Sequence, residues 1–162
     1  MPYVSISERP SEVYHYTKRE HLDSIMKDGR IRRFGDSETW FCCSLEDTLK
    51  LMRATVMMEG KPFIKVGGGV GFYPEFKPEE YVILRLNPRW QNGLWVRWMQ
   101  EVPPSSSQEL KDAAHTFSML KIGFRGDLKF YDNPEVIEVA TLLQEKEQEQ
   151  SLVETTNMDM SL

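Results

Sequence analysis

The sequence predicts a mixed α+β domain, with strands and helices interleaved irregularly rather than as repeated βαβ units. Three observations lead there. Short β-type runs, "EVYHY", "TWFCC" and "YVILRLN", recur along the chain. Stretches with apolar residues three and four apart lie between some of them. Hydrophobic residues make up 40% of the 162, including four Trp, eight Phe and six Tyr, which is enough to close the core of one domain.

Residues 1–11, polar around two prolines, read as an arm. In "EVYHY" the strand alternation puts Val13 and His15 on one face and Tyr14 and Tyr16 on the other. Thr17 followed by Glu20 matches a capping box, Leu22, Ile25 and Met26 form a helical stripe, and Gly29 suits the residue past a helix end. "TWFCC" is the next strand. Ser44 then starts a helix whose apolar positions are Leu45, Leu49, Met52 and Val56.

A Gly/Pro-rich excursion over residues 60–78 precedes the strand "YVILRLN". "GLWVRWMQEV" is a further strand, ended by Pro103-Pro104. "SQELKDAAHTFSML" reads as a helix facing inward through Leu110, Ala113, Ala114 and Phe117. "KIGFRGDLKFYDNP" suggests a hairpin or turn-rich segment, and "EVIEVATLL" a last strand, closing a domain over residues 12–143. Residues 144–162 hold five acids against one lysine and are expected to be a disordered acidic tail.

That tail carries four of the five net negative charges, so the body is close to neutral. A near-neutral body argues against a chain built mainly to hold nucleic acid. No apolar run approaches the roughly 20 residues of a membrane span, and the first residues lack a basic start followed by an apolar stretch. A soluble, cytoplasmic protein without a membrane or metal partner is the expectation. Cys42 and Cys43, as neighbours in a strand, point to opposite faces and are expected to be buried, reduced thiols.

"YHYT" followed by "HLDSIMKDGRI", with Leu22, Ile25 and Gly29 in a Leu-x-x-Ile-x-x-x-Gly pattern, resembles the opening of the ADP-ribosyltransferase superfamily. It is closest in style to the DNA-modifying DarT toxins and the tRNA 2′-phosphotransferases. "TWFCCS" resembles that superfamily's aromatic strand, and "NPEVIEV" supplies a late glutamate, Glu135. The match is dense over residues 12–57 and again near 133–141. The resemblance implies a split β-sheet with short flanking helices, and NAD as the substrate whose ADP-ribose is passed to a macromolecular acceptor, protein or nucleic acid. Toxins and effectors of bacterial and phage conflict use such small transferases.

The resemblance also implies roles. His15 would bond the adenosine ribose, the Tyr16 backbone would hold the nicotinamide amide, and Thr17 would add a hydroxyl. Trp40 or Phe41 would stack on the nicotinamide, and Arg32, or its neighbours Arg30 and Arg33, would meet the pyrophosphate. Cleaving the nicotinamide–ribose bond passes through an oxocarbenium-like transition state, which a nearby carboxylate stabilises. Glu135 is the first choice and Glu138 the alternate, since strand periodicity puts them on opposite faces.

Each assignment has a plainer rival. His15 could be a hydrogen-bonded core histidine, Thr17 a helix cap, and Trp40 and Phe41 core rings, while the arginines could be a solvated cluster. "KVGGGVG" fits neither a dinucleotide fingerprint nor a P-loop and reads as a turn or lid. Two other functions stay open. One is a non-catalytic interaction module using Trp95, Trp98 and Met99. The other is an RNA 2′-phosphotransferase, which would need cations at the cleft mouth.

Overall fold

Strand β1 (Tyr3–Ile6) opens the chain and β2 (Val13–Lys18) follows it. In the computed structural model, residues 3–33 and 38–160 are described, 153–160 by backbone alone. A single 3₁₀ turn, Arg19–His21, leads into helix α1 (Leu22–Asp28). Gly29 ends α1 at φ 67°, a left-handed conformation that a side chain would strain, and its N–H bonds the Ile25 carbonyl at 3.0 Å. β3 (Arg30–Ile31) and β4 (Glu38–Phe41) come next. Helix α2 (Leu45–Thr55) starts where the Ser44 hydroxyl accepts from the Asp47 N–H at 3.0 Å. The Gly/Pro-rich excursion is a hairpin of β5 (Pro62–Ile64) and β6 (Val70–Phe72).

β7 (Tyr81–Leu86) and β8 (Trp95–Trp98) precede helix α3 (Gln108–Leu120). β9 (Ile122–Arg125), β10 (Leu128–Lys129) and β11 (Glu135–Glu138) then lead into helix α4 (Val139–Met160). The architecture is α+β, and its main sheets are antiparallel: β1-β8-β9-β4 and β11-β7-β2, with β3 paired to β10. The edges β2 and β4 meet at one rung, where Tyr14 and Cys42 exchange hydrogen bonds of 2.8 and 2.9 Å.

The three-stranded sheet buries both faces, which is why β7 reads as a continuous apolar run. Val13, Val82, Leu84 and Leu86 pack one face against Phe41, Trp95, Ile122 and Phe124 of the four-stranded sheet, with α1 alongside. Ile83 on the other face packs against Leu49 and Met52 of α2 and Val139 and Leu142 of α4, joined by Tyr14 and Tyr16. Burying one such aliphatic side chain contributes about 1.5–3 kcal/mol, so these two faces supply most of the hold on β7.

Several sequence expectations are corrected. The arm is not free, because β1 pairs with β8 from Tyr3↔Trp98 to Ile6↔Trp95. Its side chains are mostly exposed, so no alternation marks it. Thr17 is not a cap: it sits in β2 opposite Val82, and neither the 3₁₀ turn nor α1 has a side-chain cap. The inward seam of α3 runs through Ala114, Phe117 and Ser118, with Leu110 and Ala113 exposed. Ser118 sets that rotation, donating to the Ala114 carbonyl at 2.8 Å and accepting from the Gln100 N–H at 2.6 Å. A buried serine is invisible to a count of apolar positions.

β9 and β10 do not form a hairpin with each other; β9 joins β4 and β8, and β10 joins β3. The last strand stops at Glu138, and residues from Val139 to Met160, including 144–160 of the expected disordered tail, are helical, while residues 161 and 162 lie outside the described residues. Leu, Gln, Glu and Lys are good helix formers, and Val139 and Leu142 give α4 an apolar seam. Lys146 bonds Glu46 at 3.0 Å, tying α4 to the first turn of α2. Of the two thiols, Cys42 is buried and Cys43 exposed.

Candidate functional site

The gap between the two sheets follows from one side chain. Continuing the Tyr14–Cys42 register would set Tyr16 opposite Trp40. The His15 imidazole takes that place, with Nδ1 3.0 Å from the Trp40 carbonyl oxygen. A carbonyl only accepts, so the proton is on Nδ1 and the Nε2 lone pair is left for another donor. Alternation along an antiparallel ladder turns the Tyr16 N–H and C=O to the same side as those of Tyr14, towards this gap. One residue thereby offers an adjacent donor and acceptor, the complement of a primary carboxamide.

His15 is wedged against Phe41, the ring centroids 5.5 Å apart. Burial pushes its pKa below the usual histidine value, with the Trp40 carbonyl opposing the shift. The neutral ring is therefore the form held in place. The Tyr16 side chain leaves by the opposite face and reaches Thr55 Oγ1 at 3.0 Å. Thr55 spends its own proton on the Leu51 carbonyl, so the phenol donates, and burial raises its pKa. This anchors β2 to α2 behind the gap.

Two cavities meet at His15. The inner one, about 320 Å³, is lined by Tyr16, Trp40, Phe41, Cys42, Phe117 and Lys121, among others. The outer one, about 500 Å³, runs over Thr17, Ser24, Asp28, Arg30 and Arg32 on the α1 side. Both lie within the usual range of ligand pockets.

Trp40 is positioned by β9. Its register partner is Gly123, whose missing side chain lets the indole lie on the backbone; a Cβ there would stand 2.8 Å from the ring. Lys121 sits at the junction of α3 and β9, its ammonium over the Trp40, Trp98 and Phe117 rings. The Cys42 thiol, facing the same cavity, is pushed up to about 12 by burial and stays protonated, so it is no nucleophile. In the outer cavity Arg32 pairs with Asp28 at 2.8 Å, and that pairing holds the Asp28 carboxyl below its usual range. Arg30 stands 3.9 Å from Asp127, and the Arg33 N–H bonds the same carboxylate.

The candidate residues are thus partly brought together. His15, Tyr16, Trp40 and Phe41 line the inner cavity, and Thr17 and Arg32 the outer. Neither Glu135 nor Glu138 lines either one. The ladder sets Glu135 across from Arg85 and Tyr14, on the face opposite His15, where it bonds Arg85 at 3.1 Å. An arrangement with Glu135 and His15 in one cleft is therefore corrected. Glu138 lies in the row Glu138–Val82–Thr17, on the His15 face and two strands away, roughly 10 Å by strand spacing. It is held by Arg19, whose Nη1 is 2.9 Å from its carboxylate and whose Nε bonds the Glu79 carbonyl at 3.2 Å.

Trp95 is buried in the core, and Trp98 and Met99 are half-buried, so they form no open apolar patch of the kind an interaction module would present. His21 and His115 are exposed. Sequence reading missed Lys121 and assigned Phe117 only to the core. The one local hint was a glycine inside a β-branched and aromatic run, "KIGF", which signals close approach of a neighbour.

Among the described residues, no group of three His, Cys, Asp or Glu could hold a metal, and no helix is long and apolar enough to cross a membrane. No protein-family model, curated protein or solved structure matches the chain.

Proposed function

We propose that the chain is an NAD-dependent ADP-ribosyltransferase that binds NAD across the split between β2 and β4 and passes ADP-ribose to a macromolecular acceptor, in the manner of a cytoplasmic toxin or conflict effector. The observation that carries this reading is the displaced rung. His15 replaces a backbone pair, which leaves the Tyr16 amide group facing an aromatic-walled gap. Such an edge suits a carboxamide, Trp40 suits a flat ring, and the Nε2 lone pair of a neutral His15 suits a ribose hydroxyl. Thr17 and Arg32 in the outer cavity stand where the remainder of a dinucleotide would extend, with Arg32 exchanging Asp28 for a phosphate.

Breaking the nicotinamide–ribose bond leaves positive charge on the sugar, and a carboxylate is needed to stabilise it and, as general base, to take the acceptor's proton. Glu138 is the better candidate of the two, because it shares the His15 face of the sheet. Arg19, whose guanidinium bonds that carboxylate, then holds it aimed until substrate arrives.

A second reading is an NAD-binding module without transfer. It is favoured by the two glutamates, both ion-paired and both outside the cavities. One experiment separates the two: nicotinamide release from NAD with and without cell lysate, beside calorimetric NAD binding. Lysate-dependent release that falls at least about a hundredfold in Glu138→Gln and persists in Glu135→Gln is the expected result. Binding lost in His15→Ala, without release in any form of the protein, selects the module. Absence of NAD binding sinks both.

A further inference from the structure

The hairpin of β5 and β6 belongs to neither main sheet. Among the described residues its strands pair only with each other. The Tyr73 N–H donates to the Lys61 carbonyl at 2.9 Å near the base, and the Lys65 N–H to the Gly69 carbonyl at 3.0 Å near the tip. The register sets Pro62 opposite Phe72 and Ile64 opposite Val70, so strand alternation gathers these four side chains on one face. That face is open: Ile64 is 84% exposed, Phe72 65% and Val70 63%, Pro62 is exposed, and Val66 at the tip is fully exposed. The other face differs. Phe63 and the Lys65 stem lie over Gly71, where a Cβ would stand 2.7 Å from the ring and 2.9 Å from the lysine Cε. Phe63 also packs against Tyr73, the ring centroids 5.0 Å apart. The ribbon is amphipathic, with one face wholly apolar and the other aromatic and cationic.

A contiguous exposed apolar face marks a partner, and its charge and its tip say which. Lys61 and Lys65 are the only ionised side chains from Lys61 to Pro74, in a chain whose net charge is −5. The acids that flank this stretch, Glu59 and Glu75, lie beyond its base. An apolar, cationic ribbon is complementary to an apolar, anionic surface. Exposed turns ordinarily carry Asn, Asp or Ser, whereas here Val66 is followed by three glycines at φ 91°, 105° and 90°. Glycines present no side chain for a protein partner to read, and a fluid acyl layer needs none. We propose that the β5–β6 hairpin docks on an anionic lipid bilayer, with Pro62, Ile64, Val66, Val70 and Phe72 set into the acyl boundary and Lys61 and Lys65 in the phosphate layer.

The two faces then serve two depths. Amphipathic elements lie in the interface with their apolar side towards the acyl chains, and lysine stems extend so that the ammonium stays with the phosphates. The outward N–H and C=O groups of β5 and β6 have no strand to bond, so the ribbon stays at the boundary, where water reaches them, and does not cross. The absence of a spanning run has no bearing on a contact of this kind. The inference is independent of the dinucleotide reading, since a chain that binds no NAD docks equally well.

The test sediments the full chain with vesicles of phosphatidylcholine alone and with vesicles of phosphatidylcholine and phosphatidylglycerol in equal parts. Binding to the anionic vesicles should exceed binding to the neutral ones at least about tenfold and fall as salt rises. Lys65→Gln should weaken it about fivefold, and Ile64→Ser combined with Phe72→Ser at least about tenfold. In the wild-type chain the anionic vesicles should slow deuterium exchange over residues 62–73 and leave Ile83 and Leu84 unchanged, a readout that stands even if a variant fails to fold. No sedimentation, equal binding to both kinds of vesicle, or binding that leaves residues 62–73 unprotected overturns the inference. So does a lipid-free dimer that Ile64→Ser with Phe72→Ser dissociates, because the face then belongs to a second copy of the chain.

Discussion

The Nδ1–H of His15 is committed to the Trp40 carbonyl, and burial disfavours a second proton on the ring. Its folded-state pKa lies below the unfolded value, so at pH between the two the unfolded chain binds more protons. The contribution of a neutral His15 to stability is therefore fully present above the unfolded value of about 6.5. It is lost as pH falls from there towards the folded-state value. Urea midpoints measured between pH 7 and pH 5 should drop more steeply for the wild-type chain than for His15→Gln, in which this term is absent. Equal slopes would mean that the ring accepts its second proton in place, and the neutral acceptor at Nε2 would go with it.

Among the elements, α2 shows how a local device supports the cleft from behind. Ser44 caps it through the Asp47 N–H, and the far end carries Thr55, which receives the Tyr16 phenol. Ser44→Ala should cost about 1 kcal/mol of unfolding free energy, read from denaturant curves. A loss near zero would show that the first turn is held by Lys146 to Glu46 instead. Such local devices are what the sequence makes legible. The Ser44 cap, the Gly29 stop, the alternation of β2 and the apolar run of β7 each depend on neighbours within a few residues. Opposite faces for Glu135 and Glu138 followed from the same period-two rule.

Which of the two glutamates shares a face with His15 did not follow, because β7 has to act as the ruler between β2 and β11. The same limit hid Lys121, brought to Trp40 by the pairing of residue 40 with residue 123. β1 was obscured by its exposed side chains. The first turn of α4 reads as strand because a β-branched run, "EVIEV", flows without punctuation into helix formers, and the rest of α4 reads as a disordered tail because acids crowd it.

At the scale of the whole molecule, two antiparallel sheets share a packed interior but, among the described residues, only one backbone rung, Tyr14 with Cys42. Rungs at a sheet junction open more readily than those inside a sheet, because less has to move with them. The Tyr14 and Cys42 amides should exchange with deuterium at least about tenfold faster than those of Ile83 and Leu84, which lie between two strands. A ligand that fills the gap should slow the first pair and leave the second unchanged. Equal protection without ligand would make the two sheets one rigid body and the gap a fixed crevice.

The order of strands in space also governs how the chain reaches this state. Tyr3 finds its partner at Trp98, and Val13 at Leu86, so nearly every pairing in the two main sheets closes a long loop. The ordering entropy of those loops is spent before the contacts reward it, which makes folding slow relative to a helical domain of similar size. During synthesis β1 and β2 leave the ribosome before their partners β8 and β7. Val13, wholly buried at the end, stays in water until β7 emerges, and the β4 edge waits longer still for β9. The cleft is consequently among the last features to form, and a nascent chain stalled before β9 holds His15 but no gap for it to prop open.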